Sequence, residues 1–158
     1  MDAGSILEQL RKRLEENGAE QAELGETEVS GEQRIILLTS HSSFGAMENT
    51  AAGEFYFEGD EDDPLFLFVC RLQVLSDIPE ESLPLCSAEI TLVNREIPLG
   101  GFVYDFIDNT VCYVLRTPVS GIKDEGQLLE EADSCIALSL TVADRYSSTI
   151  IRCAGERA

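Results

Sequence analysis

Residues 94–118 read NREIPLGGFVYDFIDNTVCYVLRTP, and they restrict the fold more than any other part of the chain. Two runs of aromatic and β-branched residues flank Asp108-Asn109, a pair typical of tight turns, and Gly100-Gly101 separates the first run from what precedes it. A two-residue loop at Asp108-Asn109 predicts three facing pairs: Phe106 with Val111, Tyr104 with Tyr113, and Phe102 with Leu115. These six large side chains share one face, so we expect a hairpin that packs that face in a core.

Three segments have the apolar period of amphipathic helices. The first follows the capping-box pattern of Ser5 and Glu8 and ends at Asn17-Gly18. The second begins near residue 82 and contains a stripe at spacings of 3, 4, 3 and 4: Leu83, Cys86, Ile90, Val93 and Ile97. This stripe is interpreted as sheet-facing core, with a dimer contact as the alternative. The third helix is predicted from residue 124 to about residue 151.

Strand-like runs occupy residues 34–39, 53–59 and 65–75. The third run is apolar on both faces at its start, which favours a central place in a sheet. Residues 19–31 fit an edge strand or a loop. The elements predict one α+β domain over residues 1–158, an antiparallel sheet flanked by N-terminal, central and C-terminal helices in the order α-β-β-β-α-β-β-α.

The charge of the chain restricts its partners. Thirty acidic and 11 basic side chains give a formal net charge of −19. Such a field repels phosphate backbones and anionic headgroups, so we expect no nucleic-acid partner and no membrane partner. It favours a basic or amphipathic protein partner, although an acidic solvated surface without a specific role is the simpler interpretation.

The five cysteines are odd in number, and no Cys-x-x-Cys spacing suggests zinc. Cys70 and Cys112 lie in apolar runs, where a free thiol behaves as a small hydrophobic group, so we expect a reducing environment. The N-terminal residues are charged throughout, unlike a signal peptide, and no run reaches the roughly 20 apolar residues of a membrane helix. We therefore predict a cytoplasmic location.

Catalytic chemistry has few candidates in this chain. A Ser-His or Cys-His pair could involve only His41, the single histidine, which lies in a serine-rich stretch. The acidic residues 58–63 lack the EF-hand pattern, and Gly100-Gly101 lacks the context of a phosphate loop. We predict no catalytic, metal or cofactor site, and a small hydrolase using His41 with a nearby Ser or Cys remains the alternative.

The element order and one local run carry a resemblance to a known fold. Residues 86–119 resemble the recurring run of the type III secretion chaperone-like fold, which the CesT-type chaperones and the YbjN-like proteins share. The residues that carry the resemblance are Asn94, Gly101, Phe102, Asp105, Tyr113 and Pro118. The resemblance implies a non-enzymatic module that binds a secreted or regulatory protein through apolar sheet or helix surface, and a cytoplasmic homodimer. A regulatory or structural domain unrelated to secretion is the remaining alternative.

Overall fold

The structure, a computed structural model, describes residues 3–16, 21–26, 33–39 and 51–155. These residues form one six-stranded sheet and four α-helices. The strands are β1 Gln21–Glu26, β2 Gln33–Thr39, β3 Ala51–Glu58, β4 Leu67–Ser76, β5 Gly101–Asp105 and β6 Thr110–Pro118. The helices are α1 Ala3–Glu16, α2 Leu83–Glu96, α3 Glu125–Tyr146 and α4 Ser148–Gly155, with a short 3-10 turn Glu80–Ser82 ahead of α2.

The sheet is antiparallel throughout and has the strand order β1-β2-β3-β4-β6-β5. Strand β4 pairs with β3 on one side and with β6 on the other, which confirms the central place predicted for residues 65–75. Strand β5 lies at an edge, and the four helices bury apolar side chains in one core with the sheet. The α+β class and the antiparallel sheet with flanking helices are therefore confirmed.

The predicted element order is wrong by two elements. Residues 21–26 form β1, so the edge-strand alternative is correct for this stretch. Its sequence, QAELGE, has little intrinsic strand preference, and pairing along its whole length with β2 outweighs that preference. The predicted last helix is in fact α3 and α4, separated at Ser147. Ser147 has helical dihedral angles, with φ at −80° and ψ at −22°. The apolar period therefore continues from α3 into α4, and the sequence pattern does not indicate the break between them.

The predicted capping box in the first helix is wrong. Helix α1 begins at Ala3, so Ser5 lies inside its first turn and cannot be the N-cap. The predicted apolar stripe is confirmed, since Ile6, Leu7, Leu10 and Leu14 are buried. The predicted stop at Asn17-Gly18 and the candidate His41 lie outside the described residues, and the hydrolase alternative stays an untested prediction.

The hairpin of β5 and β6 has a four-residue loop, residues 106–109, instead of the predicted two-residue loop. Phe102 consequently faces Tyr113, and Tyr104 faces Val111. The register differs from the prediction by two residues, and an even shift keeps each side chain on its face. Five of the six predicted side chains thus stay on the helix side of the sheet, where the rings of Phe102 and Tyr113 lie 5.4 Å apart in an edge-to-face contact.

Candidate protein-binding surface

Helix α2 has a buried face and an exposed apolar face. Cys86, Ile90 and Val93 are buried in the core, and Leu83 and Ile97 are partly buried against it, so the predicted stripe belongs to the core that α2 forms with α4 and β5. Leu85 and Leu92 lie seven residues apart on another face and are exposed. A leucine pair at that spacing falls on one side of a helix, so α2 presents apolar side chains to solvent as well as to the core.

The side chain of Asn94 joins α2 to the edge of the sheet. Its Oδ1 accepts a hydrogen bond from the Phe102 N–H at 2.8 Å, and its Nδ2 donates to the Phe102 carbonyl at 2.9 Å. Both backbone groups must therefore point away from β6, and the amide of Asn94 takes the place of a neighbouring strand there. This pair fixes the position of α2 beside β5 and covers part of the open sheet edge.

A second hydrogen bond closes the connection between α2 and β5. The Tyr113 hydroxyl donates to the Leu99 carbonyl at 2.8 Å. Gly100, the next residue, has a φ of +68°, and a Cβ there would lie 2.5 Å from the Tyr113 hydroxyl oxygen and 2.7 Å from the Val114 carbonyl oxygen. Only glycine combines this backbone angle with so close an approach. Gly100 in the Gly-Gly break is thus required by backbone angle and packing.

The loop of the hairpin is held by polar side chains at its base. The Asp105 carboxylate accepts hydrogen bonds from the Ile107 and Asp108 N–H groups at 3.0 and 3.4 Å. Asn109, with a φ of +54°, accepts from the Tyr104 hydroxyl and donates through Nδ2 to the Ile78 carbonyl at 3.1 Å. The loop therefore lies next to the chain just before α2, while Phe102 lies next to the end of α2. Helix and strand run side by side in opposite directions.

These contacts explain the residues that carry the resemblance in the sequence. Asn94 and Phe102 form the edge pair, Asp105 supports the loop, and Tyr113 closes the connection. Gly101 has its nearest non-neighbouring atoms in the Asn94 amide, and Pro118 ends β6 opposite Leu67. Asn94, Phe102, Asp105 and Tyr113 therefore support the packing of the fold through these hydrogen bonds.

Exposed apolar side chains concentrate in the segment that this frame supports. Eight large apolar side chains of the described residues are exposed, and six of them lie between residues 85 and 107. Phe106 and Ile107 in the hairpin loop are the most exposed, at 80% and 81%. We call the six residues the apolar rim: Leu85, Leu92, Leu99, Val103, Phe106 and Ile107. Adjacent exposed aromatic and aliphatic residues on a rigid loop are typical of a protein-binding surface.

The sequence prediction missed the apolar rim for two reasons. It placed Phe106 on the buried face of the hairpin, because a two-residue loop was assumed. It also attended to the regular stripe of α2 and passed over Leu85 and Leu92, which do not belong to that stripe. The seven-residue spacing of these leucines was the available signal.

Several of the basic residues are held in ion pairs away from the rim. Arg11 pairs with Glu8 and Glu15 on α1, and the hydrogen bond from Arg11 lowers the pKa of Glu8. Arg13 pairs with Glu130 and Asp133 of α3. The basic run of residues 11–13 is therefore largely neutralised by its neighbours.

The face of the sheet opposite the described helices holds a smaller apolar group and a polar concavity. Val69, Cys112 and Val114 are buried there, with Tyr56 and Leu67 packed against them. The concavity measures about 310 Å³ and contains Arg71, which pairs with Asp105 at 3.4 Å across the sheet. Because this cation already has a carboxylate partner, the concavity offers no clear preference for a charged ligand.

The thiols near the core are poor nucleophiles. Burial raises the pKa of Cys70 to about 12 and also raises the pKa of Cys86 and Cys135. A reactive cysteine needs a lowered pKa, so the raised pKa values oppose thiol catalysis at these three positions.

Among the described residues, no group of three or more His, Cys, Asp or Glu side chains could hold a metal ion. In the same part of the chain, no helix is long and apolar enough to cross a membrane.

No protein-family model matches the chain, and no curated protein matches it either.

Proposed function

We propose that the chain is a non-enzymatic protein-binding module, of the kind found in secretion chaperones and YbjN-like proteins, that acts in the cytoplasm. The observation that carries the proposal is the apolar rim, with six of the eight exposed large apolar side chains in one 23-residue segment. Because Asn94, Tyr113 and Asp105 fix this segment to the sheet, the rim is presented without a large loss of conformational freedom on binding.

Charge and exposure together describe how such a module would work. A partner that covers the rim removes apolar surface from water, and this burial contributes a favourable free energy of about 25 cal/mol per Å². The net charge of −19 opposes non-specific aggregation through the exposed apolar side chains, and it attracts partners that carry basic residues. The support for the proposal is thus an apolar contact surface on an acidic body.

The test compares two double variants on an array of 15-residue peptides of varied composition. Leu92→Ser with Ile107→Ser removes two side chains of the rim, and Leu65→Ser with Leu138→Ser removes two exposed apolar side chains elsewhere. The proposal expects a subset of peptides to bind the wild type and the control alike, with binding to the rim variant at least tenfold weaker. An array without bound peptides, or an equal loss in both variants, would refute it.

Homodimer formation belongs to the same proposal and has its own measurement. Light scattering coupled to size-exclusion chromatography on the reduced protein should give twice the chain mass of 17.4 kDa. A monomer at all concentrations would contradict a CesT-type dimer. It would leave a monomeric YbjN-like binding module in its place.

A further inference from the structure

A groove lies between α2 and the junction of α3 and α4. It measures about 280 Å³, and its lining includes Leu92 and Val93 of α2, and Tyr146 at the end of α3. Val93 is buried and Tyr146 is half-buried, whereas Leu92 is 54% exposed. The groove therefore has an apolar floor and an exposed apolar wall that belongs to the rim. Its volume suits one large side chain of a partner.

Two carboxylates flank the exposed leucine. Glu89 and Glu96 both line the groove, three residues before Leu92 and four residues after it. At 1.5 Å per residue the two positions are about 10 Å apart along the helix. Neither carboxylate forms an ion pair with another residue that the structure describes. Arg145 lines the groove from α3, whereas the charged residues that line it from α2, Glu89 and Glu96, are both acidic.

The α2 wall of the groove favours a partner that is apolar in the middle and cationic on both sides. An apolar side chain in the groove would lie over Val93 and Tyr146, and cationic side chains on either side of it would reach Glu89 and Glu96. Both contacts favour the same segment, because the apolar contact removes area from water and the charges select its flanks. A neutral or acidic flank would leave the two carboxylates facing an unmatched surface.

We infer that the groove between α2 and the α3–α4 junction binds a segment of another protein in which a large apolar residue stands between lysine or arginine residues. Basic residues about 10 Å apart suit this site, which corresponds to roughly three residues in an extended segment or seven in a helix. The inference rests on the proposed function and names the chemistry of the partner.

The experiment uses two synthetic 15-residue peptides, measured by fluorescence anisotropy with the full chain. One places leucine between arginines three residues apart, and the other replaces the arginines with glutamines. The protein variants are Glu89→Gln with Glu96→Gln, and a control, Glu16→Gln with Asp62→Asn, that removes the same charge at exposed positions elsewhere. We expect the arginine peptide to bind the wild type at least tenfold more tightly than the glutamine peptide.

The variants separate this inference from the proposed function. The groove variant should lose most of the preference for arginine, about tenfold, and the control should keep it. Rim-dependent binding without any preference for arginine would overturn the inference and leave the proposed function standing. Equal losses in both variants would also overturn it, because they would mean a general charge effect. So would conversion of a dimer to a monomer by the groove variant, which would assign the groove to a second copy of the chain.

Discussion

Helices α2 and α3 contribute to the same core, but they contribute to the molecule in different ways. Helix α3 buries eight of its 22 residues, and Leu138 is its one exposed large apolar side chain. Helix α2 buries only three of its 14 residues and exposes two leucines. Helix α3 therefore contributes mainly to stability. Helix α2 exposes part of its apolar surface to solvent, which a contribution to stability alone does not explain.

The two helices are also attached to their surroundings differently. Helix α3 meets α1 through the exposed ion pairs of Arg13 with Glu130 and Asp133. Helix α2 meets the hairpin through the paired hydrogen bonds between Asn94 and Phe102. Partly buried hydrogen bonds define a geometry more firmly than exposed ion pairs do. The polar contacts of α2 therefore define its position beside β5 more firmly than the ion pairs of α3 define its position beside α1.

Leucine truncation in the two helices should give the largest contrast. Leu128 of α3 is buried, so Leu128→Ala should lower the free energy of unfolding by about 2–5 kcal/mol through lost burial and a cavity. Leu92→Ala in α2 should change it by less than about 0.5 kcal/mol, since this side chain is largely exposed. Urea unfolding followed by circular dichroism measures both. Similar losses in the two variants would mean that Leu92 is a core residue and not part of a surface.

High pH should weaken the interface between α3 and the sheet. Burial raises the pKa of Cys70 from 9.0 to about 12, and Cys70 lies near Cys135 and Ser139 of α3. Above pH 9 the unfolded chain loses this proton while the folded chain keeps it, so stability should fall as the pH rises from 9 to 12. Each unit of raised pKa corresponds to about 1.4 kcal/mol, which puts the total on the order of 2–4 kcal/mol.

Urea unfolding at a series of pH values checks this dependence, with Cys70→Ala beside the wild type. The variant lacks the thiol, so its stability should fall less steeply over the same range. A residual fall is expected in the variant, because burial also raises the pKa of Tyr113 to about 12. Identical slopes in the two proteins would contradict the assignment to Cys70.

A single methyl group at Gly100 tests the attachment of α2 to the hairpin. The φ of +68° costs an L-residue about 1–2 kcal/mol, and the new Cβ must also displace the Tyr113 hydroxyl from the Leu99 carbonyl. Gly100→Ala should therefore destabilise the protein by about 2 kcal/mol and weaken peptide binding at the rim. Thermal unfolding and the peptide array measure the two effects.

Gly121→Ala is the matched control for this substitution. A Cβ at Gly121 would meet no atom within 4 Å, and Gly121 is not among the glycines with a positive φ. This variant should change stability by less than about 1 kcal/mol. If Gly100→Ala behaved in the same way, the closed connection between α2 and β5 would not be needed for the fold.

The fold was predictable where apolar period and turn residues agreed. The stripes of α1 and α2 follow from side-chain spacing, and the central place of β4 follows from a run that is apolar on both faces. Strand β1 could not be assigned from QAELGE, because its pairing partner, which decides its conformation, lies elsewhere in the chain. The length of the hairpin loop was predicted wrongly because the Asp105 carboxylate accepts hydrogen bonds from two N–H groups of a four-residue loop, a local contact that dipeptide preferences do not report.

The candidate surface was less predictable than the fold. Exposure of Phe106 depends on the loop length, and exposure of Leu92 depends on which side of α2 faces α3 and α4. Neither the loop length nor the packing side of α2 is determined by the neighbouring residues in the sequence alone. The residues that did stand out, Asn94 and Tyr113 among them, stand out because their side chains satisfy backbone groups. A single exposed leucine has no such partner in the fold, and only the seven-residue spacing of Leu85 and Leu92 indicated the exposed face.

The smallest effect is expected at the contact between α1 and α3. Arg13→Ala removes ion pairs of 2.8 and 3.2 Å to Glu130 and Asp133, whose side chains are substantially exposed. Exposed pairs of this kind contribute about 0.2–1 kcal/mol, and the loss should shrink in 1 M salt, where the Debye length is about 3 Å. Lys12→Ala, at the neighbouring exposed position, should cost less than the Arg13 variant at low salt. A loss above about 2 kcal/mol for Arg13→Ala, unchanged by salt, would mean that these ion pairs hold α3 against α1 as firmly as the Asn94 hydrogen bonds hold α2 against β5, and it would remove this contrast between the two helices.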